Sequence, residues 1–486
     1  MNERRIEHPV ADRWLFAATL ALLVWLPLPW GSHRPWSADL LVMLAAGLLG
    51  LRLLLIALGQ ASVPRGLGRQ LTLPALWWLL WLGWIGAQLL PLDAATLARW
   101  SGTAAALYTD SAALLQPPPA PRLSIAPSAT ADAWLLSAGY ACLYVLIVLS
   151  CCADRSRMGL VLGALVVSGL VQALYGGLMV LSGLEWGFFA EKQFYRGVAT
   201  GTFVNRNHLA GYLELTSAAA LGLVLSDLGG GGRARSLRGF LLDAIALAFS
   251  AKMRARLALV VMAIGLVLTR SRMGNVAFVA SLSVCAMGFI LLRQRQYALR
   301  AFVLFASVIA LDILIVSNWY GLDRVIERIE RTDLASEGRA AFLRDVPPAV
   351  DAYRLTGSGL GTFAHAFAPF RSEQMREHFD HAHNDYIELL IETGVVGIVL
   401  LSLFVLAHVL HALRTLVRRR RRMAAAVSFS ALMGMLAYAI HATADFNLQI
   451  PANAATLLVL MALAASCSSA TSRRRRHPGT VASATP

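Results

Sequence analysis

Charge is what this sequence has least of. Asp, Glu, Lys and Arg make up 15% of its 486 residues, against about a quarter of an average soluble protein. With 57% hydrophobic residues and a mean hydropathy of +0.60, this excludes a single soluble core and points to an integral membrane protein of many spans. Cysteine is sparse too. Cys142, Cys151, Cys152, Cys285 and Cys467 lie in or beside apolar runs, with no pairing framework in the loops. They read as small buried hydrophobes rather than as a disulfide scaffold or a zinc site. Acids are outnumbered, 28 to 43 Lys and Arg. In a soluble chain a net charge of +15 suggests nucleic acid; here the placement of the charges matters more, and no nucleic-acid partner is expected. A small-residue cleavage site is also missing after the first apolar run, which continues Pro27-Leu28-Pro29-Trp30 and reads as a retained span.

Apolar runs of spanning length occur at about 14–30, 38–58, 71–90, 133–152, 158–182, 208–227, 254–269, 273–292, 301–320, 394–413, 424–441 and 452–470. Each approaches the roughly 20 residues that cross the hydrocarbon layer as a helix. The expected fold class is therefore an all-α polytopic membrane protein with about 12 transmembrane helices. The run 240–250 is too short and reads as an interfacial helix. With the N-terminus in the cytoplasm, the inside segments hold 26 Lys and Arg and the outside segments 16, while 19 of the 28 acids fall outside. The basic runs 418–422 and 473–476 both land inside, as the positive-inside rule requires, so both termini are expected in the cytoplasm.

Three outside loops are long. Loop 91–132 carries a Pro-rich connector at 116–121, loop 183–207 is aromatic and Gly-rich, and loop 321–393 is long enough to be functional. Within the last, 323–331 reads as a charged surface helix, 340–353 as a second helix kinked at Pro347-Pro348, and 357–363 as a flexible turn. The chain divides into amino-terminal helices (1–182), a catalytic region that includes loop 321–393 (183–415), and carboxy-terminal helices with a basic tail (416–486).

The densest polar cluster precedes the run 394–413. His381-Ala382-His383-Asn384-Asp385-Tyr386-Ile387-Glu388 sets imidazoles, an amide and carboxylates at the mouth of a membrane helix, where such groups are costly to keep without a use. His383 heads the candidates, because histidine is the side chain best suited to accept a proton near neutral pH; it reads as a general base for an incoming hydroxyl. The same residues also fit a structural hydrogen bond at a loop–helix junction, or a His-x-His-x-Asp metal set whose ligands share a face only on a strand. Asn384 fits a helix cap and Asp385 the positive helix end. Glu388 and Glu392, one turn apart, are spaced to orient a histidine or bind sugar.

Thr269-Arg270-Ser271-Arg272 puts two guanidiniums in a tight outside turn, against the positive-inside trend. Arginine binds phosphate oxygens bidentately and stays charged, so the turn reads as a pyrophosphate clamp, Arg272 ahead of Arg270, with interfacial snorkelling as the alternative. Asn205-Arg206-Asn207-His208 stands at an outside helix start, with Asn207 as a helix cap or Asn205 and Arg206 as phosphate or sugar contacts. Arg339, in Glu337-Gly338-Arg339, lies in a long loop where arginines are ordinarily solvated. Glu214 and Asp312 are intramembrane acids with no partner visible in the sequence.

Taken in order, these pieces resemble the O-antigen ligase and O-antigen polymerase superfamily of bacterial inner-membrane glycosyltransferases. The likeness is carried by Phe203-Val204-Asn205-Arg206-Asn207-His208-Leu209-Ala210, Thr269-Arg270-Ser271-Arg272, Gly338-Arg339, Gly357-Ser358-Gly359-Leu360-Gly361-Thr362-Phe363 and the His381 to Glu388 motif. It continues through Glu392-Thr393-Gly394-Val395-Val396-Gly397. The amino-terminal third is similar only in being hydrophobic. The resemblance implies a glycosyltransferase-C-like helical fold with a long helical periplasmic loop and a periplasmic active site. It implies transfer of a glycan from undecaprenyl pyrophosphate to an acceptor hydroxyl, with no metal or other cofactor. It gives Arg272 and Arg339 the pyrophosphate and His383 the reaction centre, with Arg270, Asn205, Arg206, His381, Asn384 and Glu388 as substrate contacts. In-line attack then inverts the anomeric carbon. Besides membrane lipids, the expected partners are the lipid-linked donor and an acceptor on lipid A core, a glycan or a protein. These acceptors correspond to a ligase, a polymerase or a protein O-oligosaccharyltransferase. A 12-helix secondary transporter or polysaccharide exporter is the alternative of another class.

Overall fold

The computed structural model describes residues 9–63, 67–187, 190–226, 251–292, 302–303, 305–310, 333–372, 379–418 and 421–467, with the backbone alone for 69, 251, 252 and 333–340. The expected helices at 240–250 and 323–331, Asp312, most of the run 301–320 and the basic run 473–476 lie outside these residues. The described chain is helical apart from one two-residue hairpin, β1 (Trp186–Gly187) against β2 (Ala190–Glu191). The helices are α1 (Val10–Trp25), α2 (Pro35–Ala57), α3 (Gly68–Leu89), α4 (Ala94–Trp100), α5 (Gly102–Leu114), α6 (Pro127–Ala153), α7 (Arg157–Ser182), α8 (Arg206–Ser226), α9 (Ala251–Leu268), α10 (Arg272–Leu292), α11 (Asp333–Tyr353), α12 (Phe363–Phe367), α13 (Asp385–Arg418), α14 (Arg422–His441) and α15 (Pro451–Ala465).

Seven of them, α2, α6, α7, α8, α10, α13 and α14, are long and apolar enough to cross a membrane, so the chain is an all-α polytopic membrane protein. Twelve such helices are not seen among the described residues. α1 ends at Trp25 after 16 residues and α15 has only 15. α3 and α9 coincide with expected runs without reaching the same apolar length.

Of these seven α8 is the most enclosed, with 89% of its apolar window buried, whereas α2 has 22%. Small residues let α8 sit there, since close backbone approach and interhelical hydrogen bonds hold membrane helices together where no hydrophobic drive exists. A Cβ on Gly222 would meet Ser430 Oγ of α14 at 2.1 Å, and that hydroxyl donates to the Ala218 carbonyl (2.8 Å). Four polar residues of α8, His208, Glu214, Thr216 and Ser217, are buried.

The two ends of the bundle differ in chemistry. At one end Asp12 of α1 is buried between the guanidiniums of Arg52 (α2) and Arg157 (α7). The opposite end gathers the starts of α8, α10, α13 and α15, the end of α14 and the first loop.

At that end α13 breaks at Gly394 (φ 65°, ψ −173°), a conformation open only to glycine. The carbonyls freed by the break are satisfied by the 354–361 segment and by α3. Ser358 N donates to Ile391 O (2.8 Å) and Gly359 N to Glu392 O (2.9 Å), while Gln88 Nε2 bridges Thr356 O and Glu392 O, both at 2.9 Å. The segment 357–363, expected as a flexible turn, is therefore a packed strut: Ser358, Leu360, Thr362 and Phe363 are buried. The second expected helix continues through Pro347 and Pro348 as α11. Loop 91–132 holds α4 and α5 ahead of its Pro-rich stretch.

Candidate active site

The motif at His381 is folded by its own carboxylates. Glu388, on the first turn of α13, reaches back with one oxygen to His381 Nδ1 (2.7 Å) and with the other to Ala382 N (2.8 Å). Asn384 Oδ1 accepts from Tyr386 N (3.0 Å) and Ile387 N (3.1 Å), which is the expected helix cap. Asp385 is fully buried. Its amide donates to Ala442 O and Asp445 O, and its carboxylate accepts from Leu448 N, so the start of α13 is stitched to the 442–450 loop between α14 and α15.

That loop supplies what the sequence reading did not single out. Asp445, 1% exposed, lies 3.6 Å from His383 Nδ1 and 4.0 Å from His208 Nε2. Phe446 is the common wall of three imidazoles: His381 stacks on it at 4.3 Å, and His383 and His208 meet it edge-on at 4.9 and 4.6 Å. Burial pushes the Asp445 carboxyl up, but the facing imidazole of His383 and the charges of His208 and His441 outweigh it and hold the group down at about 2. Burial works against protonated His381; the Glu388 carboxylate overcomes it and raises the imidazole above its ordinary value.

His383 itself is left-handed (φ 48°), an uncommon backbone for histidine that persists only where the surroundings enforce it. Its side chain is 42% exposed. One ring nitrogen is thus turned to a buried carboxylate while the ring stays open to a ligand. His381, His383 and Asp385 do not converge on a point: each engages a different partner.

The arginine turn lies at the same end. Arg270 is left-handed (φ 53°), Thr269 Oγ1 accepts from Ser271 N (3.1 Å), and Ser271 Oγ caps α10 through Gly274 N (3.2 Å). A Cβ on Gly274 would come within 2.7 Å of Ala210, so the turn abuts the first coils of α8, two residues from His208. Arg270 is half-buried and Arg272 exposed.

For Arg339 the structure gives only its backbone, on α11 one turn before Phe342. Phe342 stacks on Phe379 (5.5 Å), which itself meets His383 edge-on at 6.3 Å; α11 thus roofs the histidine motif. Asn205 is buried and caps α8 through Asn207 N (2.9 Å), so the cap is Asn205 and not the expected Asn207. The Arg206 guanidinium lies 5.8 Å from the Tyr195 ring.

Glu214 does have a partner: His441 Nδ1 at 2.7 Å, both side chains fully buried. A cavity of about 520 Å³ opens beside the site between α3, α6, α13, α14 and α15. Trp77, Trp81, Leu389, Phe404 and Met461 line it, with Asp385, Tyr386 and Gln449 among its polar groups.

No curated protein matches the sequence. Residues 257–402 match the family described as O-antigen ligase, a stretch that holds the Arg270–Arg272 turn, Arg339 and the whole His381 to Glu388 motif. Within that region the chain carries the features of an O-antigen ligase domain.

Proposed function

We propose that this membrane protein transfers a glycan from undecaprenyl pyrophosphate to an acceptor hydroxyl, at the end of the bundle that carries the histidine cluster. The observation that carries the reading is His383, an accessible imidazole backed at 3.6 Å by a buried carboxylate. A base of this kind contributes about 10²–10⁴-fold when it is positioned and paired. The free nitrogen of His383 takes the proton of the acceptor hydroxyl, and Asp445 holds the ring and stabilises the imidazolium. The acceptor oxygen bonds to the anomeric carbon as the bond to the pyrophosphate oxygen breaks. The leaving group departs with that electron pair, and the configuration inverts.

Neutralising the leaving group falls to Arg270, Arg272 and Arg339, since fixed cations stabilise developing negative charge. His381, fixed by Glu388, with Asn384, Asn205 and Arg206, completes the substrate contacts. The apolar cavity beside Asp385 and Tyr386 suits the first units of a polyprenyl chain: it has the volume of an ordinary ligand pocket, with polar groups on the site side.

Purified protein, undecaprenyl-pyrophosphate glycan and acceptors of three kinds (lipid A core, free glycan, Ser/Thr peptide) test this reading. One acceptor should be glycosylated with an inverted linkage and release of undecaprenyl pyrophosphate. No transfer to any of them, together with transport of the donor across proteoliposomes, would replace the reading with the transporter class.

A further inference from the structure

A second cavity, of about 390 Å³, lies outside the matched region and shares no residue with the histidine motif. α5 forms one wall through Leu107, Tyr108 and Ser111, with Leu115 at its end. The Pro-rich stretch folds back to form the other, with Arg122 and Pro127. This stretch, expected as a connector, is fixed in place. Tyr108 OH donates to Ser124 O (2.8 Å), while Leu92 N donates to Pro121 O and Ser124 N to Gln88 O, both at 2.9 Å.

The polar groups of the lining divide into two kinds. The Tyr108 hydroxyl is engaged with Ser124, and the Ser111 hydroxyl donates to Leu107 O (2.8 Å). Arg122 has no hydrogen bond or ion pair among the described residues. A guanidinium keeps its charge and its five N–H donors in such a wall, so the ligand must bring an anion. Leucine and proline offer a small free anion nothing in exchange for its water. The ligand is therefore an anion joined to an apolar body.

The position of the cavity supplies that body. Pro127 opens α6, a helix of 27 residues that is apolar enough to cross a membrane and is longer than the roughly 20 residues the hydrocarbon layer needs. The surplus lies at the cavity end, where Ser128, Thr130 and Asp132 make the first turns polar, so the cavity stands at headgroup level. Leu107, Leu114 and Leu115 fall on one face of α5 and are exposed, Leu114 to 84%, and Trp100 of α4 is exposed too. An exposed apolar helix face with a tryptophan and a cation suits the bilayer interface.

We propose that this cavity binds the headgroup of an anionic phospholipid, with its phosphate on Arg122 and its acyl chains along the leucine face of α5. The bound lipid ties loop 91–132 to the membrane. That loop is in turn joined to the 357–363 strut, where Ile125 N donates to Ser358 O (2.9 Å). Native mass spectrometry of the full-length protein in detergent, titrated with dioleoylphosphatidylglycerol or dioleoylphosphatidylcholine, tests this. Arg122→Gln should weaken the tightest phosphatidylglycerol site by about ten- to a hundredfold, the loss of a hydrogen bond to a charged group. Leu115→Glu, which sets an acid at the exposed rim, should weaken it comparably and serves if the first variant is unstable. Arg122→Lys should keep part of the binding, as a point charge without the planar fork. Arg155→Gln, at the opposite end of the bundle and exposed, should leave the site intact, which separates it from the general pull of a basic protein on anionic lipid. Unchanged phosphatidylglycerol affinity in Arg122→Gln, equal affinity for phosphatidylcholine, or displacement of the lipid by inorganic phosphate overturns the proposal.

Discussion

Replacing Asp445 with asparagine keeps the shape of the side chain and the oxygen that accepts Phe446 N (2.9 Å) but deletes the charge opposite His383. The cost follows from the pair's geometry. Two unit charges 3.6 Å apart attract by about 4–5 kcal/mol at an effective dielectric of about 20, and by about 1 kcal/mol in water. Asp445 is buried, but the His383 side chain is 42% exposed, so solvent screens much of the interaction and about 2–3 kcal/mol is the reasonable share. That charge pair forms fully only when His383 takes the acceptor's proton, so its loss should appear in kcat. At 1.36 kcal/mol per tenfold, Asp445→Asn should turn over roughly 30- to 150-fold more slowly with donor KM little changed. Steady-state release of undecaprenyl pyrophosphate reads this directly. A kcat within twofold of wild type would refute the idea that this carboxylate backs the base.

Other perturbations probe the remaining parts. Arg272→Ala should raise donor KM and lower kcat, and Arg272→Lys should restore only part because it cannot bind two oxygens in a plane; equal activity of all three proteins would dismiss the clamp. Gly394→Ala puts a Cβ 2.3 Å from Leu355 O at a glycine-only conformation, so it should destabilise the protein by about 2 kcal/mol or more, read as a lower melting temperature in detergent. The His381–Glu388 pair gives a pH signature. His381 is raised above its ordinary value, so its stabilising contribution is full below about 6.5 and is lost as pH rises through the raised value. The melting-temperature gap between wild type and Glu388→Gln should accordingly be widest near pH 6 and shrink towards alkaline pH; a gap that widens with pH would reverse the assignment.

The parts of the site that are local in sequence were legible there. Asn384 as a cap and the tight Arg270–Arg272 turn follow from spacing alone, because a cap or a turn is closed by residues two to four apart. What was not legible is what the packing of distant helices creates. Asp445 sits 62 positions after His383, in a ten-residue loop that reads as a plain connector, and its polar content (Thr443, Asp445, Asn447, Gln449) was the available signal. Glu214 found His441 across 227 positions, a pairing that no periodicity announces. The 357–363 glycines read as slack because glycine permits flexibility; here the absence of side chains instead allows backbone to touch backbone at the α13 break. The spans were the most visible element, since length and apolarity are properties of the sequence itself, although short α1 and α15 fall below spanning length in the structure.

The central claim is that His383 accepts the acceptor's proton. The direct measurement is single-turnover glycan transfer by His383→Ala, with the protein saturated by undecaprenyl-pyrophosphate glycan and donor binding monitored in parallel. Donor should still bind with near wild-type affinity, while the transfer rate falls by 10²-fold or more. Transfer at the wild-type rate from the bound donor would contradict the account.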